Sequence, residues 1–217
     1  MMYLSAVLFA FLSFISAGCS AKEGEAKIEA PKETAEISKN SEHATFALGC
    51  FWHSEEIFLE IKGVSQALPG YSGGSTKDPS YEEVCSGNTG HAESVDITFD
   101  PSVISYEKLL EVFFTEHDPT TPDYAYPDRG TQYRSVIFYR NAAQKKQAED
   151  FISKLTASKK YSDPIITQVL PMEKFYPAED YHVKYFRRHP SGQSYIDNVT
   201  KPEVEKFRKD FPELVKK

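Results

Sequence analysis

Positive charge is scarce in this chain. Its 25 lysines and arginines are outnumbered by 32 aspartates and glutamates, a formal net charge of -7. That argues against nucleic acid as the main partner, because phosphate binding needs concentrated positive charge. Without a basic stripe between them, the 13 tyrosines and 15 phenylalanines read first as core material. Cysteine is scarcer still, with three in 217 residues: Cys19, Cys50 and Cys85. A domain of this size can build its core without a disulfide, so the last two are not an obvious structural staple. A phosphate loop is missing as well: "GYSGGS", Gly70 to Ser75, has glycines enough to cradle an anion but neither the lysine nor the helix start. Two thiols and His91 do not make a recognised metal spacing, so no metal is expected.

What is there divides the chain into four parts. "YLSAVLFAFLSFISAG", Tyr3 to Gly18, is continuously apolar or small, of the length of a signal segment with its cleavage flank and short for a membrane span. It ends at Cys19 in "SAGCS", which resembles the processing site of a bacterial lipoprotein and makes Cys19 a candidate for lipidation. Ser16 stands where a larger aliphatic residue is usual, and no Lys or Arg precedes the apolar run. Plain secretion and an uncleaved anchor therefore stay open. The expected location is exported, as a periplasmic or cell-envelope lipoprotein or a secreted protein, touching membrane only through the signal or a lipid. Residues 20–43 are Lys, Glu, Ala, Ser and Pro with almost no large apolar side chain, a flexible polar tether that cannot offset its ordering entropy by burial. Residues 44–200 form the expected domain, and 201–217 a short amphipathic tail, at most a surface helix.

Within the domain, "ATFAL" before Gly49 predicts a strand, and Phe51 to about Ile61 a helix with Phe51, Phe58 and Ile61 inward and Glu55, Glu56 and Glu60 elsewhere. The glycine- and proline-rich stretch from Leu68 to Glu83 reads as a loop. "SVDITFDP" alternates as a strand, with Val95, Ile97 and Phe99 on one face, and Ser105 is placed to cap a helix ending near His117. A second loop covers 118–130, "TQYRSVIFYR" predicts a central strand, 141–160 a helix, and "PIITQVLP" a further strand. Strands and helices alternate without Rossmann spacing. The expected fold is one compact α/β (α+β) two-layer sandwich with a mixed sheet.

The stretch "ALGCFWHSEEIF" puts Cys50 between a strand-ending glycine and a helix start. Free backbone N–H groups there favour thiolate over thiol and raise nucleophilicity. Cysteine is also among the most buried residue types, so an inert core thiol is the competing reading. "PSYEEVCSGNTGHAES" then gathers Tyr81, Cys85, His91 and Glu93 between glycines. His91 suggests a Cys–His pair, against a loop histidine with a surface bond.

Five blocks decide between these: "GCFW" at 49–52, "GYSGG" at 70–74, "YEEVCSGNTGHAE" at 81–93, "DPSVISYEKLLEVFF" at 100–114 and "GTQYRS" at 130–135. In this order and spacing the chain resembles peptide-methionine (S)-S-oxide reductases, the MsrA family, from about residue 44 to about 190. The resemblance implies a ferredoxin-like core decorated by long loops. It also implies thiol-dependent reduction of the S epimer of methionine sulfoxide, free or in proteins, through a sulfenic acid on Cys50. By it, Phe51 and Trp52 line the pocket for the S-methyl group, Glu93 is the acid beside the sulfoxide oxygen, Tyr81 and Tyr133 hydrogen-bond there, and Asp128 is a second pocket acid. His91 is placed among the substrate-binding residues.

No bound cofactor is expected. The reductant would be an external thiol, a thioredoxin-like protein or a small thiol, with dithiothreitol serving in vitro, and the partners would be sulfoxide-bearing proteins and peptides met by a monomer. Relatives often keep resolving cysteines near the carboxyl end, whereas this chain has none after Cys85 and carries Ile196 after Tyr195. Regeneration falls either to Cys85 or, as favoured, directly to the external thiol. Two other readings remain open: a non-catalytic lipoprotein module binding methionine-rich peptides, and a cysteine hydrolase using Cys50 and His91.

Overall fold

The computed structural model describes residues 40–217. The signal segment with Cys19, and the tether as far as residue 39, lie outside the described residues. In chain order the elements are β1 (Glu42–Ala47), α1 (Phe51–Leu59), β2 (Val64–Ser72), α2 (Tyr81–Cys85), β3 (Ala92–Phe99), α3 (Tyr106–Thr115), β4 (Tyr124–Ala125), β5 (Asp128–Arg129), β6 (Val136–Tyr139), α4 (Ala142–Ser158), β7 (Gln168–Pro171), β8 (Phe175–Pro177), α5 (Tyr185–Arg188) and α6 (Lys201–Asp210). Among the described residues no helix is long and apolar enough to cross a membrane.

Six strands form one sheet in the order β7-β6-β1-β3-β2-β8. β3 runs antiparallel to both β1 and β2, and β6 antiparallel to β1. With α1 and α3 as the crossovers, this inner four-strand set is the ferredoxin-like arrangement. β7 adds in parallel beside β6, and β8 antiparallel beside β2, which makes the sheet mixed. β4 and β5 form a separate two-stranded hairpin.

Period-two patterning drives the core. Val95, Ile97 and Phe99 of β3 are fully buried, and Phe46 of β1 lies opposite Val95. The Phe46 ring meets Phe58 of α1 at 5.7 Å and Phe113 of α3 at 5.1 Å, closing sheet onto helices. Full burial of each such side chain contributes about 1.5–3 kcal/mol. Ser105 caps α3 by accepting from the Lys108 N–H at 3.1 Å, as its position predicts. The inner stripe of α4, Ala148 with Phe151, Ile152 and Leu155, packs on the same core.

Four expectations are corrected. The first strand starts at Glu42, so Glu42 and His43 belong to the sheet and not to the tether. The sequence from Leu68 to Ser72 is the second half of β2, and Tyr81–Cys85 is a short helix with a Ser80–Glu83 capping box, so only the middle of that stretch is loop. Glycine suits the strand because β8 crosses closely: a Cβ on Gly70 would lie 2.4 Å from the Tyr176 carbonyl. The tail is part of the core, since α6 buries Val204 and Phe207 completely and is entered through a π-helical segment, Ile196–Thr200. Lastly, Glu55 and Glu56 are buried, at 1% and 4% exposure. Glu55 accepts from the Lys184 N–H with both oxygens, at 2.7 and 2.8 Å, and Glu56 pairs with Arg187 at 2.8 Å. These two side chains fasten the 182–188 segment across α1.

Candidate active site

β1 ends one residue short of Leu48, and Gly49 turns the chain with φ +98°. Only glycine fits, since a Cβ there would meet the Ala125 Cβ at 2.6 Å. Cys50 is the N-cap residue of α1 and is 7% exposed. The Trp52 N–H and the nearby Tyr195 hydroxyl both act on its sulfur in the sense that favours the thiolate. Burial and the charge of Glu93 act the other way and prevail, holding the Cys50 thiol well above its ordinary range. The magnitudes explain the outcome: a helix amino end stabilises an anion by about 0.3–1 kcal/mol, while full burial shifts a group by up to 3–5 pKa units at about 1.4 kcal/mol each. The position expected for Cys50 is found, but the low resting pKa expected from it is not.

Glu93 sits at the start of β3 in the same parity as Val95, Ile97 and Phe99, so alternation turns a carboxylate into the core. It is 2% exposed, and its Oε2 accepts from the Phe51 N–H at 3.0 Å, which ties the acid directly to the residue after Cys50. Burial outweighs that bond and, with the charge of Asp128, pushes the carboxyl up to about 8. Glu93 is therefore mostly protonated at neutral pH. The Tyr133 hydroxyl feels Glu93, Asp128 and Cys50 together. Tyr81 also feels Glu93, but its hydroxyl is hydrogen-bonded to the exposed Cys85.

The apolar side of the site is aromatic. Phe51 is buried and stacks at 6.4 Å with Tyr81. Trp52 lies flat on Tyr185, with ring centroids 3.8 Å apart and planes 5° from parallel, and meets the edge of Tyr195 at 5.6 Å. Asp128, on the β4–β5 hairpin, accepts a hydrogen bond from the Tyr195 hydroxyl. Tyr195 thus joins Asp128 to Cys50, a contact the sequence reading missed while noting only that no cysteine follows Tyr195. The absence of a large residue at 49 and the aromatic density of 175–195 were the available signals, and neither specifies the partner.

His91, expected beside the substrate, serves the backbone. Its Nδ1 accepts from the Gly74 N–H at 3.1 Å and its Nε2 pairs with the Thr76 carbonyl at 2.8 Å, so it organises the 73–77 loop. His53, in the first turn of α1, faces a neighbouring cavity of about 350 Å³ together with His117 and Tyr133. Burial holds both histidines near 4. Among the described residues no group of three His, Cys, Asp or Glu side chains is arranged to hold a metal ion.

A buried thiol, a protonated acid and a hydroxyl cluster opposite flat apolar rings suit a ligand with a strongly accepting oxygen and a small apolar end. The family model for peptide methionine sulfoxide reductase matches residues 42–214. The chain is 49% identical over 174 residues to the peptide methionine sulfoxide reductase MsrA of Polynucleobacter asymbioticus, covering 80% of this chain and 91% of that protein. It is 51% identical over 168 residues to that of Leptospira borgpetersenii, covering 77% and 94%. The crystal structure of Mxr1 from Saccharomyces cerevisiae in reduced form superposes with a TM-score of 0.67 at 34% identity, over 71% of this chain and 89% of that one. Methionine sulfoxide reductase A of Corynebacterium diphtheriae gives 0.64 at 32% identity, over 71% and 78%. Site, fold and relatives agree: the chain belongs to the peptide methionine sulfoxide reductase family.

Proposed function

We propose that this protein reduces the S epimer of methionine sulfoxide, free or in polypeptides, to methionine with thiols as reductant. One observation carries the reading: Cys50 and a protonated Glu93 meet at the amino end of α1, joined through the Phe51 N–H. The sulfoxide methyl group rests against Phe51 and Trp52, and its oxygen turns toward Glu93, Tyr133 and Tyr81. The Cys50 sulfur attacks the sulfoxide sulfur as its own proton leaves, and Glu93 protonates the oxygen, which would otherwise carry the developing charge. In net terms the Cys50 thiol and the sulfoxide become a Cys50 sulfenic acid and methionine, the cysteine sulfur losing the two electrons that the sulfoxide gains. A reductant thiol then condenses with the sulfenic acid, releasing water, and a second thiol frees Cys50 from the mixed disulfide. Selectivity for the S epimer rests on family membership.

Turnover of the two methionine sulfoxide epimers with dithiothreitol tests the assignment. Methionine formed from the S epimer alone is the expected result, and inertness toward both would reject it. The hydrolase reading loses its base, because both nitrogens of His91 are engaged with the 74–76 backbone. A passive binding module would leave the protonated Glu93 and the capped Cys50 without a task.

Regeneration is assigned to the external thiol. Cys85 is exposed on α2 and pairs with Tyr81, not with Cys50. One equivalent of substrate should leave Cys50 trapped by dimedone and Cys85 open to alkylation, and Cys85→Ala should keep most of its activity with a small thiol. A Cys50–Cys85 disulfide in the mass spectrum after one turnover would reverse the assignment.

Repair of oxidised envelope proteins is the setting that the apolar 3–18 segment and Cys19 support. Labelled palmitate should enter the protein in a bacterial host and be lost in Cys19→Ala; equal labelling of the two would exclude this anchor.

A further inference from the structure

The cavity that His53 faces shares Tyr133 with the sulfoxide pocket, and the chemistry above leaves it unused. Leu48, two residues before Cys50, forms part of its wall. The lining is acidic: Glu116, Asp118 and Glu203 meet a single lysine there, Lys206. That ammonium is fully engaged. It donates to the Thr115 carbonyl at 2.9 Å and to Glu116 Oε2 at 3.1 Å, and it pairs with Asp210 at 3.4 Å. A lysine has three donors, so none is left for Glu203, which feels the charge of Lys206 without an ion pair to it. Asp118 uses only Oδ1, on Thr120. Two buried atoms of the same lining residues also lack partners, Glu116 Oε1 and His53 Nδ1, on residues 4% and 7% exposed. Folded proteins leave few such atoms unpaired. The cavity is short of positive charge and of hydrogen-bond partners together.

A guanidinium supplies both, with five N–H donors and a permanent charge. The volume of about 350 Å³ is enough for one side chain. Tyr126, 75% exposed, stands at the mouth and offers a ring face on which such a group can stack. The same hairpin already shows the contact, since the Arg129 guanidinium lies 4.8 Å over the ring of Tyr124. The geometry points to this cavity as a subsite for a basic side chain, arginine before lysine, carried by the polypeptide substrate next to its methionine sulfoxide. The shared wall is the reason for choosing a substrate side chain over a free cation. With Tyr133 common to both sites and Leu48 joined to Cys50 through Gly49, a chain held at Cys50 can reach the cavity with a flanking residue, at about 3.3–3.6 Å of advance per residue. This deepens the methionine sulfoxide reading and rests on it.

Short peptides carrying Arg, Gln or Glu on either side of methionine sulfoxide test this by turnover with dithiothreitol. At one flank at least, the Arg peptide should show a kcat/KM about tenfold above that of the Gln peptide, the effect of one partly desolvated ion pair. The Glu peptide should fall below both. In Glu203→Gln the Arg-to-Gln ratio should shrink to within about threefold of unity; taking the ratio within each enzyme cancels any general loss of activity. Equal turnover of Arg and Gln peptides at both flanks would overturn the subsite, and so would an Arg advantage untouched by Glu203→Gln. A second readout needs neither a variant nor turnover. Titration of an arginyl-norleucine amide into the unaltered protein should move the His53 imidazole resonances to saturation and leave in place those of His43, which lies beside Asp96. An unmoved His53 would overturn the proposal even if the Glu203 variant does not fold. N-acetylarginine amide moving His53 at the same concentration as the dipeptide, with no Arg preference in turnover, would make the cavity a site for free cations and overturn it too. Movement of His53 without any sulfoxide reduction would reject the functional reading alone, whereas reduction with neither Arg preference nor movement would reject the subsite alone.

Discussion

Turnover in Cys50→Ser falls by a factor of roughly 10⁴ or more, to the background of the assay, as expected when a covalent nucleophile is removed. The reason lies in the sulfur itself and not in packing. Serine is close in shape to cysteine, and the site is 7% exposed, so circular dichroism and the thermal midpoint should stay near wild type. A serine hydroxyl ionises far less readily than a thiol, and burial with the charge of Glu93 already raises even the thiol at this position. Oxygen also cannot take up the sulfoxide oxygen to give a counterpart of the sulfenic acid, so the reaction has no path around the missing sulfur. Single-turnover chromatography of methionine sulfoxide checks this. Methionine formed at more than a trace in the folded serine variant would move the nucleophile elsewhere.

Glu93→Gln should slow reduction by roughly 10² or more, the usual effect of losing a positioned proton donor. Glutamine keeps the shape and can still accept from the Phe51 N–H, which isolates the proton as the missing element. The pH dependence follows from the sign of the shift. Glu93 is raised from 4.5 to about 8, so the protonated, donating form prevails below about 8 and the wild-type kcat/KM should fall as pH rises through that value. That limb should be absent from the residual activity of Glu93→Gln. Stability shares the sign: a carboxyl whose folded value lies above its unfolded one favours the fold fully below about 4.5 and loses that contribution as pH climbs through about 8. Glu55, raised to about 8 by burial, acts in the same window, so Glu93→Gln should flatten the decline of the thermal midpoint only in part. A wild-type rate flat across pH 7–9, under conditions where chemistry limits turnover, would reject Glu93 as the acid.

Much of the site was legible before the fold. Gly49 and the amphipathic run after it put Cys50 at a helix start, which is its place. Alternation in β3 extends from Val95, Ile97 and Phe99 to Glu93 and turns that acid inward. These are local facts, because a period of two or 3.6 residues is written into consecutive side chains. The protonation state was not local. The amino end of a helix favours a thiolate, and only the completed enclosure showed that burial with Glu93 outweighs it.

The tertiary structure decided which distant segments close the pocket. Tyr195 reaches Asp128 across 67 positions, and His182 reaches Trp52 across 130. Glu55 and Glu56 lie off the apolar stripe on the helical pattern yet are buried, because the 182–188 segment crosses α1 and brings the Lys184 N–H and Arg187 onto them. His91 went the other way, from a candidate in the site to a brace for the 73–77 loop. Periodicity states which face of an element is turned inward. It does not state what arrives to cover that face, since this depends on how loops of particular lengths return over the sheet. For this protein the sequence by itself determined the places of Cys50 and Glu93 and the family, and the packing of residues 124–133 and 175–200 against α1 decided the burial that shifts their protonation and the supports that hold the pocket.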